Sequence, residues 1–238
     1  MRTALITGGS RGIGAQTVRA FVQAGYRAAF FYHSSEAAAL SLAQETGAIA
    51  IQCDVRDSAS VRTACKQAQK QLSHIDVLVN NAGVAQQKLF TDITDEDWSA
   101  MIGTHLTGAF TVTREVLPGM ISRRYGRIIN VSSIWGQVGA SCEVHYSAAK
   151  AGLIGMTKAL SKEVAPSGVT VNCVCPGVIE TDMLSSFTAD DLAALAEETP
   201  VGRLGTPGDI ARCILWLADE HSSFVTGQVI GVNGGFGE

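Results

Sequence analysis

The chain has 238 residues, of which 46% are hydrophobic and 17% are charged, and its formal net charge is −4 at pH 7. This length suits one α/β domain over residues 1–238, because no linker, charge run or low-complexity segment divides the chain. The charges form no basic stripe and no apolar run approaches about 18 residues, so we expect neither a nucleic-acid partner nor a membrane span.

The first strand is predicted over 3–7, which leaves no room for a signal peptide and favours a cytoplasmic protein. A glycine-rich turn follows, and then a helix over about 15–24. Backbone N–H groups of such a turn, aided by the helix dipole, can bind a pyrophosphate, although the glycine spacing is not G-x-G-x-x-G. The predicted cofactor residues of this turn are Gly8, Ser10, Arg11, Gly12, Ile13 and Gly14.

The second strand, predicted over 27–32, ends in His33-Ser34-Ser35 and not in an acidic residue. An acidic side chain there would bind the adenosine ribose and repel a 2′-phosphate. Its absence, with Arg11 able to approach, predicts NADP(H) as cofactor, bound in part by His33 and Ser34. Alternatively, Ser34 and Ser35 only cap the helix predicted over 36–46.

Two further strands are predicted over 49–53 and 76–79, separated by a helix over 58–72. Asp54 follows the first of them and can bind the cofactor or cap the helix, a role for which Ser58 is better suited. The strand over 76–79 is followed by Asn80-Asn-Ala-Gly83, whose small, turn-forming residues let the backbone pass close to a ribose.

A long helix is predicted from Thr94, which caps a start rich in acidic residues, through Phe110. The chain continues with a strand over 127–131, a polar loop, and a helix over 147–164. Further on, the pattern predicts a strand over 169–174, a mobile lid over 182–200, a helix over 207–218 and a strand over 227–232.

Tyr146 and Lys150 lie four residues apart, so on a helix they share one face. A nearby ammonium favours the phenolate, so we expect Lys150 to lower the pKa of Tyr146. Ser133, thirteen residues earlier, can offer its hydroxyl to the oxygen that the phenol protonates. Together the three side chains predict an acid site for a carbonyl, although Tyr-x-x-x-Lys alone can be an ordinary helix pair.

Six cysteines are scattered through the chain without the spacing of a metal site, so we predict no metal. They are expected to be mostly buried core residues.

The glycines at 8, 12 and 14, Asn80-Asn-Ala-Gly83, and Ser133, Tyr146 and Lys150 in this order resemble the short-chain dehydrogenase/reductase family over the whole chain. The similarity is greatest to its 3-oxoacyl-(acyl-carrier-protein) reductase branch. It implies a Rossmann fold with a doubly wound, seven-stranded parallel sheet, helices on both faces, and a homotetramer. It also implies reduction of a ketone by NADP(H).

The resemblance also implies roles for individual residues. Ser133 binds the carbonyl oxygen, Tyr146 donates the proton, and Lys150 holds the nicotinamide ribose beside Tyr146. Residues implied at the adenine, the ribose and the nicotinamide carboxamide are Asp54, Val55, Asn81, Ala82, Gly83, Pro176, Gly177, Ile179 and Thr181.

His105 stands where the family usually has an asparagine that kinks the helix and holds a water joining the active lysine to solvent. An imidazole can still serve such a relay, and its participation predicts an extra ionisation at about pH 6–7 in the rate profile. The alternatives are a packed helix histidine and, for the protein, a catalytically silent NADP(H)-binding regulator.

The substrate carrier stays open between acyl carrier protein and elongation factor P. Carrier reductases present two basic positions, of which the chain has Arg123-Arg124 but Ser167 at the other. The loop sequences around 132–136 and 139–144 resemble elongation factor P 5-aminopentanone reductases, whose substrate carries an amine. Trp135 and Glu143 are then substrate residues, and Glu143 can pair with the ammonium. Alternatively, Glu143 only favours the helix start after Ser141 as cap.

Overall fold

The computed structural model describes residues 1–184 and 187–237. Its seven strands form one parallel sheet in the order β3-β2-β1-β4-β5-β6-β7. The strands are β1 Thr3–Thr7, β2 Arg27–Tyr32, β3 Ile49–Gln52, β4 Val77–Asn80, β5 Gly126–Val131, β6 Val169–Pro176 and β7 Val229–Val232. The winding reverses between β1 and β4, where a doubly wound sheet opens a crevice at the carboxyl ends of its strands.

Helices cover both faces of the sheet, which confirms the predicted Rossmann fold. The helices are α1 Gly12–Gln23, α2 Glu36–Thr46, α3 Ser58–Leu72, α4 Asp95–Ile102, α5 Gly108–Arg123, α6 Trp135–Val138, α7 Val144–Val164, α8 Ala189–Glu198 and α9 Pro207–Ala218. Helices α1 and α9 pack Phe21 and Ile214 against the face that contains Ile6. Helices α3 and α5 cover the opposite face, where Val112 packs with Leu5.

Three predicted boundaries differ from the structure in ways that matter for function. The first helix starts at Gly12, within the glycine turn, and not near residue 15. Helix α7 starts at Val144 and not at 147, because the Ser147 amide already bonds to the Glu143 carbonyl at 2.8 Å. The long helix predicted from Thr94 is divided into α4 and α5 by a π-helical turn, Gly103–Thr107.

A buried polar network fixes α7 relative to the sheet. Asn80 donates from Nδ2 to Asn130 Oδ1 at 2.8 Å and to Thr113 Oγ1 at 3.0 Å. Asn130 in turn donates to Thr157 Oγ1 on α7 at 2.8 Å. Because an unmade buried hydrogen bond is costly, this network holds β4, β5, α5 and α7 in one arrangement.

Four of the six cysteines, Cys53, Cys65, Cys173 and Cys175, are buried, as their apolar surroundings predicted. Within the described ranges, no helix is long and apolar enough to cross a membrane.

Candidate active site

Ser133, Tyr146 and Lys150 meet at the carboxyl edge of the sheet. Ser133 lies two residues after β5, and its Oγ accepts a hydrogen bond from the Trp135 amide at 3.1 Å. Tyr146, in the first turn of α7, lies close enough to Ser133 for the serine hydroxyl to act on the pKa of the phenol. The structure therefore brings together the three side chains that the sequence singled out.

Lys150 lies one turn further along α7 and is buried, with 4% of its surface exposed. Its Nζ donates to the Val131 carbonyl at 2.8 Å and lies 5.4 Å from the centre of the Tyr146 ring. Burial disfavours the ammonium and lowers the pKa of Lys150 to about 8. Lys150 therefore keeps its charge at pH 7, but its pKa is much closer to neutral than that of an ordinary lysine.

The expectation of a low Tyr146 pKa is wrong. Burial raises the pKa of Tyr146 to about 12, although the Ser133 hydroxyl acts in the opposite direction. The Lys150 ammonium bonds to the Val131 carbonyl, and its attraction does not outweigh the loss of water around the phenol. Tyr146 is therefore a neutral phenol at pH 7.

His105 lies in the π-helical turn and packs edge-on against Tyr146, with ring centres 5.2 Å apart. Its Nε2 lies against the Val84 backbone, 2.8 Å from the carbonyl oxygen and 3.1 Å from the amide nitrogen. Burial, and then the charge of Lys150, hold the pKa of His105 well below its usual value. The expected ionisation at pH 6–7 is therefore wrong, because the imidazole stays neutral there.

A cavity of about 340 Å³ lies along the carboxyl ends of β1, β2 and β4, and its lining includes Gly83 and Val84, which contact His105. The predicted cofactor residues among its lining are Gly8, Ser10, Arg11, Gly12, Ile13, Gly14, His33, Ser34, Asp54, Val55, Asn81, Ala82, Gly83 and Thr181. The size is typical of a small-molecule site.

The glycine turn and the end of β4 make a cradle with no room for side chains. A Cβ on Gly14 would lie 2.1 Å from the Gly8 carbonyl oxygen, and one on Gly8 would lie 2.7 Å from Ala82 Cα. Asn81 Nδ2 joins the two parts of the cradle by donating to the Thr7 and Gly8 carbonyls at 3.1 and 3.0 Å. The first amides of α1 open into this cradle, so the residues fit a pyrophosphate.

The rim near β2 carries several charges. Arg11 lies 3.8 Å from Asp182, and His33 lies 3.5 Å from Asp54. Asp54 is held mainly by Arg56, whose guanidinium donates at 2.7 Å and lowers the pKa of Asp54 to about 2. Sequence reasoning missed Arg56, and its position two residues after Asp54 in the same turn was the available signal.

Two capping alternatives for this rim are wrong. Ser35 occupies the cap position of α2, but in the described part of the chain neither it nor Ser34 makes a capping bond. Helix α3 is capped by Asp57, which accepts from the Ala59 amide, and not by Ser58 or Asp54.

The residues implied at the nicotinamide lie on the other side of the cradle. Pro176 ends β6, and a Cβ on Gly177 would lie 2.8 Å from Asn233 Cα. Ile179 is nearly buried and pairs with Gly205, and Thr181 bonds back to the Ile179 carbonyl at 3.4 Å. Of these residues, Thr181 belongs to the cavity lining, whereas Pro176, Gly177 and Ile179 lie outside it.

Trp135 and Glu143 border the same site. Trp135 begins α6, and its ring lies 5.8 Å from that of Phe236 near the end of the described chain. Glu143 is the residue before α7 and occupies its cap position, so Ser141 is not the cap. The negative charge of Glu143 contributes to the raised pKa of Tyr146.

The predicted lid contains α8, which Thr188 caps by accepting from the Asp191 amide. Residues 185–186 of that lid lie outside the described residues.

Comparison with known proteins gives full-length matches. The family model described as enoyl-(acyl carrier protein) reductase matches residues 8–237. An acetoacetyl-CoA reductase of Rhizobium meliloti (strain 1021) is 43% identical over 235 residues, 98% of each chain. A 3-oxoacyl-(acyl-carrier-protein) reductase of Vibrio harveyi is 39% identical over 236 residues, 98% of this chain and 96% of that one. An uncharacterized oxidoreductase of Bacillus subtilis (strain 168) is 38% identical over 238 residues, 99% of this chain and 98% of that one.

The depressed pKa of Lys150 makes stability depend on pH. Between the folded value of about 8 and the ordinary value of 10.5, the unfolded chain binds more protons, so stability rises with pH. We expect urea unfolding to show wild type gaining about 1–2 kcal/mol over Lys150→Met between roughly pH 7.5 and 9.5. The exposed Lys158 of the same helix supplies the control, Lys158→Met, which should follow wild type. Parallel pH curves for wild type and Lys150→Met would contradict the depressed pKa.

Proposed function

Since the chain belongs to the short-chain dehydrogenase/reductase family, oxidoreductases that act on ketones and alcohols with a nicotinamide cofactor, we propose that it reduces a 3-oxoacyl thioester with NADPH. The observation that carries the proposal is the meeting of Ser133, Tyr146 and Lys150, with His105 packed between Tyr146 and the Gly83 end of the glycine cradle. The names of the relatives from Rhizobium and Vibrio favour a 3-oxoacyl group as substrate. Residues 1–238 act in this proposal as one NADP(H)-binding domain.

Ser133 is oriented to bind the carbonyl oxygen. The Trp135 amide donates to Ser133 Oγ, so the serine's own proton is free to point at Tyr146 or at a substrate oxygen. A ketone bound there accepts from Ser133 and lies within reach of the phenol. Its carbonyl is therefore polarised before reaction.

Tyr146 is the proton donor. When bound, NADPH supplies the hydride that adds to the carbonyl carbon. The carbonyl electron pair moves to oxygen, which becomes far more basic than the phenol and takes its proton. Because burial keeps Tyr146 protonated at pH 7, the donor is ready in nearly every molecule, which suits reduction.

Lys150 has two roles in this proposal. It holds the nicotinamide ribose, and its positive charge stabilises the tyrosinate left after proton transfer. The ammonium is 5.4 Å from the ring centre in a buried environment, where electrostatic attraction is stronger than in water. His105, neutral and against Tyr146, stays a candidate for the relay that returns the proton.

The rim charges support NADPH over NADH. His33 and Ser34 follow β2 where an acidic residue would repel a 2′-phosphate, and Arg11 lines the same cavity. The negative charge of Asp54 is offset by Arg56, which adds another guanidinium to the rim. Asp54 remains a candidate for the adenine edge.

The basic side chains that could bind an acidic carrier protein, Arg123 and Arg124, are already engaged in contacts within this protein. Arg123 donates to the Ile75 carbonyl at 2.6 Å and lies 3.7 Å from Asp76. Arg124 donates to the Pro166 carbonyl at 3.1 Å, beside the neutral Ser167. This arrangement favours recognition of the acyl thioester itself over tight docking of acyl carrier protein.

A homotetramer is part of the proposal. Large apolar side chains are exposed on several elements, among them Trp98, Phe110 and Ile121 on α4 and α5, and Trp216 and Phe224 on and after α9. Exposed apolar side chains on more than one element suit a symmetric assembly with more than one interface.

Tyr146→Phe tests the reaction. We expect NADPH oxidation with acetoacetyl-CoA, and with acetoacetyl-acyl carrier protein, to fall about 10²–10⁴-fold because the proton donor is lost. NADPH binding, measured by fluorescence titration, should persist. Tyr125→Phe, on the opposite edge of the sheet, is the matched control. Near-normal turnover in Tyr146→Phe would exclude the assigned role, and NADPH binding without turnover by wild type would favour the silent regulator.

Arg11→Gln tests the cofactor preference. Loss of a guanidinium that contacts the 2′-phosphate should raise the KM for NADPH about tenfold or more, since a hydrogen bond to a charged group contributes roughly 1.5–3 kcal/mol. The KM for NADH should hardly change. Arg19→Gln, on the same helix but bonded to Glu45, is the control. Equal effects on both cofactors would remove Arg11 from the phosphate site.

A second candidate, reduction of an aminoketone on elongation factor P, is favoured by one observation. The Glu143 carboxylate is close enough to Tyr146 to affect its pKa, so an ammonium on the substrate could pair with it. A neutral acyl chain gains nothing from this charge.

Glu143→Gln separates the two substrates. If the substrate is the aminoketone, wild type should prefer a 2-pentanone carrying trimethylammonium at carbon 5, which cannot cyclise, over its uncharged tert-butyl analogue. An ion pair at a partly exposed site is worth up to about 1 kcal/mol, so the ratio of kcat/KM values should be roughly five and fall to about one in Glu143→Gln. A ratio near one in wild type would reject the aminoketone.

A further inference from the structure

Two loops are joined directly in front of Tyr146. The first is the loop between β4 and α4, residues 81–94, and the second is the segment 140–143 that leads into α7. The Lys88 amide donates to the Cys142 carbonyl at 2.8 Å, and Gln87 Nε2 donates to Glu143 Oε1 at 3.2 Å. One residue earlier, Gln86 Oε1 lies 2.9 Å from His145 Nε2. Three consecutive residues of the β4–α4 loop therefore bond to the chain immediately before the phenol.

The direction of the His145 bond follows from its neighbours. The Asp97 carboxylate can only accept, so the group 2.7 Å from its Oδ1 must be the Gln86 amide nitrogen. This leaves Gln86 Oε1 facing His145, so His145 Nε2 must carry a proton and donate it. Asp97 is the last side chain in this series of hydrogen bonds, and Lys88 Nζ, 2.5 Å from its Oδ2, holds it in place.

His145 is poorly suited to be a mere packing residue. Its side chain is fully buried, yet its Nδ1 has no hydrogen-bond partner among the residues that the structure describes. A buried polar atom without a partner destabilises a protein relative to an apolar side chain of similar shape. Stability therefore does not explain why an imidazole occupies this position. The hydrogen bond from its Nε2 to Gln86 does.

We propose that His145 is a positioning residue for ketone reduction. Through Gln86 and Asp97 it holds the β4–α4 loop against the start of α7, and this contact sets the space in front of Tyr146 in which the ketone lies. The inference rests on the proposed function. The cofactor cavity reaches only to Val84 of this loop, so the contact acts on the ketone and not on the nucleotide.

His145→Leu, Gln86→Met and His145→Gln test the role in kinetics. Leu and Met keep the volume but remove the bond, so kcat/KM for acetoacetyl-CoA should fall about 10- to 100-fold, as expected for misplacement near 1 Å. The NADPH dissociation constant should stay within about twofold of wild type. Glutamine can place a donor at the Nε2 position, so His145→Gln should recover most of the activity. Gln86→Met removes the bond to Asp97 as well as the bond to His145, so the double variant should be no worse than Gln86→Met alone.

Hydrogen exchange and NMR give readouts that do not need a substrate. Amides of the β4–α4 loop should exchange about tenfold or more faster in His145→Leu and Gln86→Met than in wild type. Imidazole ¹⁵N spectra should show His145 protonated at Nε2 with a bare Nδ1.

The outcomes separate this inference from the proposed function. Unchanged loop exchange in His145→Leu, an Nδ1-protonated tautomer, or equal kinetics in the Leu and Gln variants would overturn the positioning role. If wild type reduces no ketone while loop exchange and tautomer are as expected, the contact stands as a loop anchor. The proposed function, and with it the positioning role in reduction, then fails.

Discussion

The close approach of the first glycine turn to the end of β4 is the constraint on which the site depends. Thr7 Oγ1 accepts from the Asn81 and Ala82 amides, both at 3.0 Å, while Asn81 returns hydrogen bonds to the Thr7 and Gly8 carbonyls. These bonds require β1 and β4 to be neighbours, which the reversal of winding provides. Because the carboxyl ends of β1 and β4 are fixed in this way, Ser133, which follows β5, has a fixed position at the same edge of the sheet. The hydrogen-bond network of Asn130 fixes α7, the helix that carries Tyr146.

Charge in the site is distributed by burial. The phenol and the imidazole near the reacting atoms are neutral, whereas Lys150, with a pKa of about 8, still carries most of its positive charge at pH 7. Fully charged side chains also lie at the rim of the cavity, where Asp54 and Arg56 form an ion pair. A substrate oxygen that gains electrons inside therefore finds donors rather than fixed anions, whereas the rim selects which nucleotide and which substrate enter.

Much of this architecture could be predicted from local patterns. The strand 3–7, the glycine turn and the helix 207–218 are fixed by apolar runs, glycine positions and caps within a few residues of one another. The Tyr146 pKa could not be predicted, because it depends on burial and on Lys150 bonding to the Val131 carbonyl. The contact of His145 with Gln86 joins residues 59 apart in sequence, and no local pattern reports it.

The strand order has a consequence for how the molecule acquires its structure. Strand β1 pairs with β4 from Ala4 to Ile6, so Ala4 must meet Val77 across a long stretch of intervening chain. Pairings of such long sequence separation close late and slow the folding of parallel sheets. The cradle is built from this pairing, so it exists only in molecules whose central strands have already joined. A nucleotide that binds there therefore favours the fully folded chain over any partly folded intermediate.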